Sequence, residues 1–93
     1  MSDERLPDEI PELAAQLPRP ILEGLRNYGI HHVPVGDFLS AVLSNDLVQA
    51  VGRADEFSLA ALRPIVQFVY NCLPSPCWGS REAVAEWTKI RVV

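Results

Sequence analysis

Eight prolines and five glycines punctuate a chain of 93 residues, and the longest stretch free of both is residues 37–51. Proline inside a helix removes a backbone donor and clashes with the preceding turn, while glycine favours the left-handed stop that ends one. Long uninterrupted elements are therefore excluded over most of the chain. Between the interruptions the apolar residues recur at three- and four-residue steps and alternating β-branched runs are absent, so the elements are helices rather than strands. The expected architecture is all-α: a compact bundle of about five short helices, one of them a long central apolar helix. A second independent core would have too little chain left to bury, which limits these residues to one compact domain or a fragment of one.

The first expected helix covers residues 8–17, with Ile10, Leu13, Ala14 and Leu17 on one face and Pro18 and Pro20 as its stop. Residues 1–17 then read as an acidic N-terminal arm or short helix, and residues 18–93 as the single helical domain. Pro20 suits a first helical turn, and the period of Ile21, Leu22, Leu25 and Tyr28 predicts a helix over 20–28 that Gly29 ends. Phe38, Leu39, Val42 and Leu43 mark another, after which Asn45 and Asp46 can end it and cap a further helix carrying Leu47, Val48 and Val51. Asp55 or Ser58 can cap the segment 59–73, the long central helix, with Pro64 either kinking it or marking its true start. Ser80 caps a closing helix with Val84 and Trp87 on its inner face.

The net charge of −4 is concentrated at one end, since residues 1–12 hold five acids against Arg5 and the rest of the chain is balanced. Such a distribution is unsuited to duplex nucleic acid, whose binding is driven by clustered Lys and Arg releasing counterions. A small anionic ligand in a local arginine pocket is not excluded. No stretch approaches the length of a membrane span and the N-terminus lacks a signal-peptide pattern, so no membrane partner and a cytosolic location are expected. Cys72 and Cys77 are the only cysteines and no second Cys or His pair completes a zinc set, so free thiols are expected, with a disulfide the alternative in an exported chain, and no metal. No cofactor-binding motif is present, and no cofactor is expected.

Catalytic signatures are missing as well: no nucleophile elbow, phosphate-binding glycine loop or paired-carboxylate pattern occurs, and the chain reads as a non-enzyme. Candidate ligand-binding residues come from two places. At Trp78, Gly79, Ser80 and Arg81 a loop aromatic precedes a capped helix start, where free backbone N–H groups, the arginine fork and a stacking face suit a nucleotide. At Gly52, Arg53, Ala54 and Asp55 a second arginine follows an apolar helix and can reach an anion or bridge a helix junction. His32 and Tyr28 are weaker candidates. For each there is a plainer structural alternative: Trp78 as a plug, Ser80 as a cap, the arginines in surface bridges, Tyr28 in the core.

The run from Gly36-Asp37-Phe38-Leu39 through Ser44-Asn45-Asp46-Leu47, then Gly52-Arg53-Ala54-Asp55, Ile65-Val66-Gln67-Phe68-Val69-Tyr70-Asn71, Pro74 and Trp78-Gly79-Ser80 resembles a set of small proteins encoded by bacteriophages and prophages. The resemblance spans roughly residues 20–88, departs from the pattern at Pro64 and excludes the acidic N-terminus. It implies a phage accessory protein without catalysis, most readily an anti-defence sponge that sequesters a host nucleotide immune signal of the cyclic oligonucleotide or cyclic ADP-ribose type. The pockets would belong to a homo-oligomer, which the apolar excess of residues 59–73 favours. Arg53, Trp78, Ser80 and Arg81, with His32 and Tyr28, would hold the ligand. The competing expectation is a stoichiometric inhibitor or adaptor whose acidic arm docks on a host protein.

Overall fold

Seven α-helices and one 3-10 turn form among the described residues, 4–90, of the computed structural model. They are α1 (Pro11–Ala14), α2 (Arg19–His31), α3 (Asp37–Leu43), α4 (Leu47–Arg53), α5 (Glu56–Ala60), α6 (Leu62–Cys72), the turn Ser75–Cys77 and α7 (Arg81–Lys89). No strand occurs among the described residues. The local signals explain most boundaries. Pro11 opens α1, where a missing N–H costs nothing. Asn45 adopts the left-handed conformation after α3, and the Asp46 carboxylate accepts from the Gln49 N–H at 3.2 Å to cap α4. Asp55 caps α5 by accepting from Ser58 at 2.7 Å, and Ser80 caps α7 by accepting from Ala83 at 3.0 Å.

Two expected elements differ. The long central apolar helix over 59–73 does not form, because the backbone turns at Ala61 and divides the segment into α5 and α6. Pro64 is the third residue of α6, inside the first turn, where its missing donor is tolerated. Proline therefore marks a start instead of kinking a continuous rod. Helix α2 is the longest instead, and it runs through Gly29 to His31. Its left-handed terminus is His32, at φ 59°. Gly29 serves a different purpose, since a Cβ there would lie 2.5 Å from a Leu6 methyl and 2.8 Å from a Leu73 methyl.

That close approach shows how the N-terminal residues sit. Leu6, Ala14 and Leu17 are buried in the same cluster as Leu22, Leu25, Tyr28, Leu43, Ile65 and Phe68. Leu6, Ala14 and Leu17 thus anchor the acidic N-terminal segment in the core, while most of the residues between them stay at the surface. Helix α1 packs on α6, and the Ile10 N–H donates to the Cys72 sulfur at 3.3 Å. The Glu9 carboxylate is clamped by Arg26 through Nε at 2.9 Å and Nη2 at 2.5 Å. On the other side α3 packs on α4 and α7, and the Gly79 N–H donates to the Leu43 carbonyl at 2.7 Å. Gly79 has φ 114°, a conformation reserved for glycine. The Cα radius of gyration of 12.2 Å is that of a close-packed chain of this length.

Candidate functional site

Two hollows flank α4, and four of the six candidate residues lie at or beside them. Arg53, on the last turn of α4, and Arg81, the first residue of α7, line the same small pocket of about 120 Å³ with Asp37, Ser40 and Gln49. Packing of α3 against both α4 and α7 brings together side chains 28 positions apart in the sequence. Each guanidinium holds a carboxylate: Arg53 meets Asp37 at 3.4 Å, and Arg81 meets Asp46 at 2.6 Å. The first pair is open to solvent at both ends and contributes about 0–1 kcal/mol. The second is firmer. Asp46 is held below the usual carboxylate range first by the Gln49 N–H and then by Arg81.

The second hollow, about 250 Å³, has an apolar floor between α4 and α6 with Leu47, Val66, Tyr70 and Trp78 in its walls and Asp46 at its edge. Asp46 therefore joins the two, gripping Arg81 on one side while lining the groove on the other. Trp78 meets Tyr70 edge to face, with ring centroids 5.8 Å apart. Tyr70 is 70% exposed, so its ring offers a stacking surface. The Trp78 indole N–H is buried and has no acceptor among the described residues. An unpaired buried donor costs roughly 1–3 kcal/mol, which an acceptor supplied by a ligand or a second chain would recover. Ser80 lies between Trp78 and Arg81, and its hydroxyl is committed to the Ala83 N–H as a cap.

Tyr28 and His32 stand apart from this face. Tyr28 is fully buried, its hydroxyl donates to the Cys77 carbonyl at 2.6 Å, and burial pushes its pKa up. His32 packs on Trp87 at 4.1 Å between ring centroids, and its Nδ1 donates to the Trp87 carbonyl at 2.8 Å. Trp87 in turn donates its indole N–H to the Tyr28 carbonyl at 2.6 Å. These three residues clamp the end of α2 to α7, away from the hollows beside α4.

Asp37, Asp46, Gln49 and Tyr70 also line the two hollows and were not among the expected ligand-binding residues. Asp46 was legible as a cap, whereas its grip on Arg81 needed the α3–α7 packing. A larger hollow, about 970 Å³ between the α1–α2 connection and α5, is lined by Asp55 and Glu56 and by no cationic residue among those described, which makes it unsuited to an anion. Both cysteines are free and buried. Among the described residues no three His, Cys, Asp or Glu side chains gather as a metal set, and no helix is long and apolar enough to cross a membrane. The chain matches no protein-family model, no curated protein and no solved structure.

Proposed function

We propose that the protein is a phage-type, non-enzymatic accessory protein that sequesters an anionic nucleotide signal of host immunity, of the cyclic oligonucleotide or cyclic ADP-ribose kind. The observation that carries this reading is the convergence of Arg53 and Arg81 on one pocket, with the Tyr70 and Trp78 rings in the adjoining groove. Guanidinium forks suit phosphates, and exposed aromatic faces suit bases, so the two hollows offer the two halves of a nucleotide different chemistry. Neither hollow alone is large enough for a dinucleotide. The proposal therefore places the ligand across α4 in a homo-oligomer, where Leu47, Val48 and Val51 point outward and supply an apolar contact.

The alternative, a host-protein inhibitor that docks through residues 1–17, has less support, because Leu6, Ala14 and Leu17 belong to the core and Glu9 is committed to Arg26. Native mass spectrometry of the purified chain with a pool of cyclic oligonucleotides and cyclic ADP-ribose isomers tests the reading. The expected result is a defined oligomer gaining one unmodified nucleotide mass per site, lost in Arg81→Ala and in Trp78→Ala. A protein that gains no mass across the pool, or that releases a cleaved nucleotide, would overturn sequestration.

A further inference from the structure

Three of the described arginines converge at a place unrelated to the groove beside α4. Arg5 from the N-terminal segment, and Arg19 and Arg26 from α2, line a cavity of about 300 Å³ closed by Glu9 and by Ala14 and Leu22. The cavity shares no residue with either hollow beside α4. We propose that it is a binding site for a compact dianion, with a phosphomonoester as its ligand class.

Charge and geometry together set that class. Among the described lining residues three guanidiniums face one carboxylate, an excess of positive charge that complements a phosphate. Arg26 and Glu9 form a two-pronged pair whose side chains are only 17% and 3% exposed. Their role is to fix the N-terminal segment against α2, which holds the backbone bearing Arg5 beside the cavity. Arg5 is exposed, and its charge acts on the Glu9 carboxylate across the cavity without a close ion pair between them. Arg19 bonds Glu23 at 3.0 Å across one helical turn, with both side chains more than half exposed. Such a pair contributes only about 0.3–0.5 kcal/mol and yields to a better acceptor. Helix α2 also starts at Arg19 without any side-chain cap, so the N–H groups of Arg19 and Ile21, with none from Pro20 between them, add some positive potential to this end of the cavity. The volume is near the lower limit for small-molecule pockets, which suits a sugar phosphate and not a dinucleotide.

The test is a titration of the full chain with ribose 5-phosphate, read by NMR at the arginine Nε–H signals, with ribose and inorganic phosphate as parallel probes. Saturable shifts at Arg5 and Arg19 are expected with ribose 5-phosphate, competition from inorganic phosphate, and no response to ribose. Charge-assisted bonds of this kind translate into affinity about tenfold weaker in Arg5→Gln and in Arg19→Gln, both surface changes that leave the buried pair intact. Arg81→Ala should leave the affinity unchanged. Absence of saturation, undiminished binding in the Arg5→Gln/Arg19→Gln double variant, or an equal loss in Arg81→Ala would overturn the site, the last by exposing a general charge effect.

Discussion

Two glycines five residues apart in α2 are under opposite constraints. At Gly24 a Cβ would meet nothing nearer than a Leu39 methyl at 3.7 Å, whereas at Gly29 it would strike Leu6 and Leu73. Gly24→Ala should therefore stabilise the fold by about 0.5–1 kcal/mol, through helix propensity and a less flexible unfolded chain. Gly29→Ala gains the same propensity but forces two packed leucines aside, and a net loss of about 1–2 kcal/mol is expected. Urea denaturation of the two variants checks the pair, and equal signs would show that the N-terminal segment does not press on α2 as described. The cysteines provide a second residue-scale outcome. Burial pushes the Cys77 thiol up to about 12 and raises Cys72 as well, so at neutral pH neither carries appreciable thiolate. A disulfide-exchange reagent should label neither in the native protein and both after unfolding in guanidinium.

Among elements, the N-terminal segment joins the core through titratable chemistry. The Arg26 guanidinium beside Glu9 holds its carboxyl below the ordinary value, against the opposing effect of burial. A carboxyl whose folded pKa lies under its unfolded value, near 4.3, stabilises the fold fully above that value and progressively less as pH falls through the folded one. Thermal midpoints should thus decline on acidification below about pH 5. In Glu9→Gln the midpoint should start lower, by the equivalent of about 3 kcal/mol, and decline less steeply with acid. An unchanged pH slope would mean that other carboxylates govern acid unfolding. Legibility divides along the same line between local and distant interactions. The caps at Asp46, Asp55 and Ser80 were readable because each bond closes within three residues. Gly29 was misread as a stop because its meaning depends on Leu6 and Leu73, far away in the chain. The break at Ala61 was half legible: Pro64 flagged it, but the apolar period ran straight across. At the site, the arginine and tryptophan residues were readable by type, while the shared pocket of Arg53 and Arg81 and the exposure of Tyr70 beside Trp78 required the packing of helices distant in sequence.

For the whole molecule, the puzzle is an apolar pattern that faces the wrong way. Helix α4 buries only Ala50, whereas Leu47 and Val48 are 67% and 80% exposed, and Val66 and Tyr70 on α6 continue the exposed set around the groove. Periodicity cannot distinguish a stripe that meets the core from one that meets another chain, because both bury apolar area at the same rate of about 25 cal/mol per Å². A monomer would leave this face in water, and association would remove it, which is why the sequestration reading places its pockets in a homo-oligomer. Val48→Glu should consequently dissociate the assembly to a monomer, measured by sedimentation velocity, with far-UV circular dichroism unchanged because the side chain touches none of the core. Since the wild-type ligand is proposed to lie across α4, the same variant should lose nucleotide binding even though Arg53, Arg81 and Trp78 are intact. If Val48→Glu is monomeric and still binds with wild-type affinity, the pockets are complete within one chain and the shared-site arrangement fails, while sequestration itself stands. If the unmodified protein is already a monomer at every accessible concentration, the outward face of α4 belongs to a different partner, and the search passes to a host protein that covers it.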